Sequence, residues 1–232
     1  MSSTDIKLLS GAALRSALNE SIPRFERSSG HKVTIHYGSV GAITNRLQMG
    51  EAADVAIVSG QQIEELQRQG KIVVGSRVDT AKVGVGAFVR KGAARPDISS
   101  VEAFKSSVLA AKAIAYTDPA LVGPAGIYLA GLLERLGIAA EMKPRIKLLS
   151  PGPPLYKSVA AGEIDIGFEQ ISLILEQPSI EFIGPLPATI QNYTLFAAGV
   201  VAGSKQAEAG KALTEFLSSP GSVAIMKAKG GE

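Results

Sequence analysis

Two kinds of residue in this chain have the chemistry to handle a ligand: the neighbouring pair Glu169-Gln170, and sets of small residues where strands turn into helices. The small residues are Ser10-Gly11-Ala12-Ala13, Ser39-Val40-Gly41 and Pro124-Ala125-Gly126, and Pro154 opens a further helix. The first turn of a helix leaves backbone N–H groups without partners, and small side chains let an anion approach them. Such donors suit carboxylate, phosphate or oxyanion groups equally, and small residues also serve simply to make tight turns. Glu169 is the candidate catalytic residue if its surroundings raise its proton affinity, as a general acid or base requires; Gln170 suits a carboxylate or amide contact. Alternation along a strand points only one of the two at a ligand. Tyr128, one turn into the helix that Pro124 opens, offers either a hydroxyl donor or a packing surface. Tyr156 and Lys157 follow Pro154, and a solvated lysine is the plainer reading there.

Periodicity outlines the elements that must hold these groups. Val33, Ile35 and Tyr37 alternate with Thr34 and His36, which predicts a half-buried strand leading into Gly38 and Ser39. Ile43, Leu47 and Met49 give one apolar helix face before Gly50, and Val55-Ala56-Ile57-Val58 reads as a buried strand. The chain opens on the same plan: a strand from Ile6 to Leu9, small residues, then Leu14, Leu18, Ile22 and Phe25 at helical spacing. A helix from Gln61 to Gln69 and a short strand Lys71-Ile72-Val73 follow. From Lys82 a β run interrupted by Gly84 and Gly86 predicts a twisted strand. Beyond it come a helix over Val101 to Leu109 capped by Ser99 or Ser100, a strand Ala113 to Tyr116, and the loop and helix to Gly137. A strand to Leu149, a helix from about Leu155 to Ala161, the strand ending at Glu169-Gln170, a return strand Thr194 to Val201 and two closing helices complete the series. The predicted fold class is α/β, with mixed central sheets and helices on both faces, in two lobes. Residues 1–81 with 196–232 form the first lobe and residues 82–195, including two hinge crossings, the second.

Composition excludes much else. At 232 residues and 46% hydrophobic content the chain can fill real cores, and zero Cys removes disulfides, thiolate nucleophiles and Cys-based metal sites. His31 and His36 stand alone without partners at ligand spacing, so no metal and no cofactor is expected. The absence of Trp, a net charge of only +3 spread along the chain, and no helix-turn-helix segment argue against a nucleic-acid partner. No run approaches a membrane span. Met1 to Asp5 leads straight into a strand, which predicts a cytoplasmic protein or, where a signal peptide has been removed, a periplasmic one.

Three segments carry a family resemblance: AADVAIVS at 52–59, DPALVGPAGIYLAGLLERLG at 118–137 and AGEIDIGFEQ at 161–170. With them the whole chain resembles type II periplasmic binding proteins, in particular the molybdate-binding group. The segments FEQIS at 168–172 and GPLPATIQ at 184–191 are equally similar to aconitate isomerase, an enzyme on the same scaffold that moves a double bond in a tricarboxylate. The resemblance implies a ligand cleft between two lobes that close on a small anion, and a monomer serving the membrane subunits of an ABC-type transporter. It also implies hydroxyl side chains at the first two turns and a tyrosine after the late strand. Here Ala12 and Ala13 replace the first, Ser39 is followed by Val40 and Gly41, and Gln170 replaces the tyrosine. Each lost charge-assisted hydrogen bond is worth roughly 1.5 to 3 kcal/mol, so molybdate binding is expected to weaken by orders of magnitude unless backbone donors substitute.

Overall fold

The computed structural model describes residues 3–231; Met1, Ser2 and Glu232, which the predicted first lobe includes, lie outside the described residues. The chain runs β1 (Asp5–Gly11), α1 (Arg15–Ser29), β2 (Lys32–Gly38), α2 (Val40–Gln48), β3 (Val55–Ser59), α3 (Gly60–Arg68) and β4 (Val78–Arg90). Next come α4 (Val101–Ala110), β5 (Ile114–Thr117), α5 (Pro124–Arg135), α6 (Ala139–Met142), β6 (Ile146–Leu149), α7 (Pro153–Ala160) and β7 (Ile166–Gln170). Then α8 (Ile171–Leu175), β8 (Ile180–Pro185), β9 (Tyr193–Val200), α9 (Ala207–Leu217) and α10 (Pro220–Ala228) close the chain. Two compact units result, one of residues up to Val83 with those from Thr194 onward, the other Gly84–Tyr193.

In the first unit the sheet order is β2-β1-β3-β9. β1 pairs in parallel with β2 and β3, and β3 pairs antiparallel with β9. β1 and β3 are central and almost wholly buried, which their continuous apolar runs require. β2 is the edge, and there Val33 and Ile35 are half-buried while Thr34 and His36 are exposed, as alternation predicts. Gly30 ends α1 with φ 75°, a left-handed conformation that costs a glycine little. Two expectations need correction. Lys71-Ile72-Val73 is not a strand: only Ile72 bridges, to Val201, because left-handed turns at Gly70 and Gly75 leave room for a single rung. Met49 is 81% exposed, since α2 ends at Gln48 and the helical face no longer carries it inward.

In the second unit the order is β4-β7-β5-β6, with β8 on the other side of β4. β5, β6 and β7 are parallel and β4 runs against β7. Successive residues of β5 feed opposite cores: Ile114 and Tyr116 pack with Leu129 and Leu132 of α5 and Val108 of α4, whereas Ala115 packs with Leu155 and Val159 of α7. Helices therefore cover both faces, and β7 needs Gly167 because the Phe88 ring lies 2.3 Å from where a methyl group would stand. Ser100 caps α4, accepting from the Ala103 N–H at 3.1 Å. The mixed sheets and two-faced helical cover are the α/β architecture expected from the sequence.

Candidate functional site

In the first unit the small residues cluster at the carboxyl ends of the parallel strands. Gly11 of β1 is in register with Gly38 of β2, so the turn through Ala12 and Ala13 lies beside that through Ser39, Val40 and Gly41. At these turns the Ser10 proton and the Ser39 oxygen are engaged, and the Ser39 O–H remains a donor. Ser10 is fully buried and donates to the Gly11 carbonyl at 3.1 Å, while Ser39 Oγ caps α2 by accepting from the Ala42 N–H at 3.2 Å. Gly11 is held bare by the Phe196 ring, 3.0 Å from a would-be methyl group. The chain turns through a short 3-10 segment, Ala12–Leu14, before α1 begins, with Ala13 buried and Ala12 partly open.

A cation that the sequence reading missed sits at the end of β3. Arg77 places Nη2 2.9 Å from where a methyl group on Gly60, the first residue of α3, would stand. It bonds Asp79 at 3.0 Å and also Glu64. A guanidinium near a helix N-terminus is unfavourable unless acids answer it, and Glu64 and Asp79 do so. The separation of Arg77 from Gly60 in sequence left no local signal of this contact.

In the second unit Thr117, Leu149 and Gln170 end the parallel strands β5, β6 and β7. Pro124 begins α5, with Ala125 and Gly126 buried behind it; Pro153 and Pro154 begin α7 and are exposed. Tyr128 is spent on structure: its hydroxyl donates to the Ile190 carbonyl at 2.6 Å and Arg135 stacks over its ring. Lys157 is exposed.

Glu169 and Gln170 part company as alternation requires. Glu169 shares the face of Gly167 and Gln170 that of Phe168, and the two are 5% and 3% exposed. One Glu169 oxygen accepts from the Thr117 hydroxyl at 2.7 Å and the other from the Gln170 N–H at 2.8 Å. Burial pushes its carboxyl above the ordinary carboxylate value, and these two hydrogen bonds pull back only partly. Among the described residues it forms no ion pair. Gln170 also starts α8, and its buried Nε2 is without a hydrogen-bond partner, as is the buried Ser172 hydroxyl. The end of β7 thus offers one unengaged amide and one carboxyl group held with a raised proton affinity, and the strand-to-helix turns within each unit offer backbone N–H groups. Among the described residues no group of three acidic, His or Cys side chains could hold a metal ion, and no helix is long and apolar enough to cross a membrane.

Known proteins agree with this architecture. The chain is 33% identical over 222 residues to aconitate isomerase from a Pseudomonas species, covering 93% of this chain and 83% of that protein. It is 22% identical over 229 residues to a molybdate-binding protein of Azotobacter vinelandii, covering 97% of this chain and 89% of the other. The solved periplasmic molybdate-binding protein of the same organism superposes with a TM-score of 0.81 at 22% identity, covering 98% of each chain, which establishes the periplasmic-binding-protein fold. The family of bacterial extracellular solute-binding proteins matches residues 6–232, and the chain belongs to it.

Proposed function

We propose that this chain captures a small polycarboxylate anion on the backbone N–H groups at its strand-to-helix turns, with Gln170 Nε2 as a side-chain donor. The observation that carries this reading is the scarcity of hydroxyl donors at the turns: Ser10 turns its hydroxyl to Gly11, and Ser39, whose oxygen caps α2, is left to donate alone. Without a ring of hydroxyls, the donors favour an extended anion with several carboxylates over a compact dianion such as molybdate. Retention follows from closure of the two lobes, so that ligand shifts a population of conformers. In its receptor role the protein is a monomer that delivers the anion to the membrane subunits of an ABC-type transporter. A thermal-shift screen against citrate, cis-aconitate, trans-aconitate, molybdate, tungstate, sulfate and phosphate tests it. Stabilisation by a tricarboxylate is the expected result; stabilisation by molybdate or tungstate alone would overturn it.

A second reading, isomerisation of the bound tricarboxylate, is favoured by Glu169 and by the aconitate isomerase relative. A receptor has no use for a buried carboxyl group lacking a cation, whereas a proton shuttle does. Glu169 takes a proton from a methylene carbon next to a substrate carboxylate, and the C–H electrons spread over the adjoining double bond. The same carboxylic acid returns the proton at the far allylic carbon, so the bond has moved with no net gain of protons or electrons. Ultraviolet absorbance of aconitate incubated with the protein tests this; turnover that Glu169→Gln abolishes supports it, and a protein that binds aconitate without interconverting its isomers is a receptor only.

A further inference from the structure

Thr117 has no part in the sequence reading, yet three contacts fix it. A methyl group on Gly126 would stand 1.9 Å from its carbonyl oxygen, so the first turn of α5 lies directly on its backbone. Its Cγ2 is 2.9 Å from where a methyl group on Gly123 would stand, which occupies one branch of the side chain. The other branch, the hydroxyl, is left pointing at Glu169 Oε2, 2.7 Å away across the parallel β5–β7 pair. A β-branched residue pinned at its backbone and at one branch has little freedom in χ1, so the hydroxyl cannot swing elsewhere. We propose that Thr117 is a positioning residue, whose hydroxyl holds the Glu169 carboxyl in one orientation.

The surroundings leave that task to few groups. The elements packed on β7 carry Tyr116 on β5, Tyr128, Glu134 and Arg135 on α5, Tyr156 and Lys157 on α7, Asp79, Lys82 and Arg90 on β4 and Glu176 after α8. Burial raises the proton affinity of Glu169, and the Gln170 N–H and the Thr117 hydroxyl lower it. Of these only the hydroxyl can be removed by a substitution that preserves shape. Its use in catalysis rests on the isomerase reading, but its hold on the carboxyl does not.

The test compares wild type, Thr117→Val and Thr117→Ser by difference infrared titration of the Glu169 carboxyl, with Glu169→Gln identifying the band and thermal melts confirming folding. Valine should move the titration upward by about one pH unit, a tenfold change in proton affinity, and serine should restore it. The limb of the aconitate pH–rate profile that reports Glu169 should move with it, and turnover should fall about tenfold in the valine variant. A titration unchanged by valine would overturn the proposal, as would a valine variant whose titration moves while an existing rate profile stays put. If wild type interconverts no aconitate, the isomerase reading fails and the titration alone decides the role of Thr117.

Discussion

At the scale of single residues, Glu169 makes the sharpest predictions. The folded chain holds its proton to a higher pH than the unfolded chain, whose carboxyl titrates near the ordinary 4.5. Folding therefore loses stability as pH rises through the folded value, and the penalty persists at neutral pH. Glu169→Gln keeps the shape without the charge, so its stability relative to wild type should grow from about pH 4.5 upward. Urea unfolding of both proteins at pH 5 and pH 8 checks the sign. If Glu169 shuttles the proton, the same variant should lose roughly 10²- to 10⁴-fold in aconitate turnover while still binding the anion. Glu51 behaves oppositely: Arg46, at 2.6 Å, and then Lys7, at 3.0 Å, hold its carboxylate down to about 2. Its contribution is present above 4.5 and lost as pH falls toward 2, so Glu51→Gln should flatten the acid limb of the stability curve there.

At the scale of elements, the strands were readable where one sheet face differs from the other. Val33, Ile35 and Tyr37 announced β2, and the Glu169-Gln170 ending of β7 followed from the apolar run before it. Helix α8 escaped because Ile171-Ser172-Leu173-Ile174-Leu175 is too short and too uniformly apolar for a period of 3.6 to show. The Thr117–Glu169 bond spans 52 residues and depends on the register of two parallel strands, which no local pattern encodes. The same holds for Gln191, whose amide accepts from the Val85 N–H at 3.0 Å and donates to the Val85 carbonyl at 2.9 Å, beside the Leu186 N–H that bonds the same carbonyl. Gln191→Leu should strand the Val85 N–H, while the carbonyl keeps the Leu186 N–H at 3.1 Å, and destabilise by about 1 to 3 kcal/mol, measured by denaturant unfolding. Gly126→Ala should cost at least about 2 kcal/mol, because its methyl group must push α5 off Thr117.

At the scale of the whole molecule, the α/β class and the family were legible because the alternation of strands and helices recurs along the entire chain. The ligand was not, since backbone N–H groups carry no side-chain label. A tricarboxylate at a hundredfold excess over its dissociation constant should stabilise the protein by about 2.7 kcal/mol, seen as a rise in Tm of about 5 to 11 °C. The segment between Asp118 and Gly123 bears on how much further the fold could be stabilised. There Val122 adopts φ 56° and ψ 35°, a left-handed conformation that β-branched side chains avoid, with the residue 39% exposed. Asparagine tolerates that geometry, so Val122→Asn should raise stability by about 1 kcal/mol. A laboratory selection for heat resistance would be expected to change Val122 early, and the fate of ligand affinity in the survivors would reveal whether the loop's awkward backbone serves recognition or is an accident of descent.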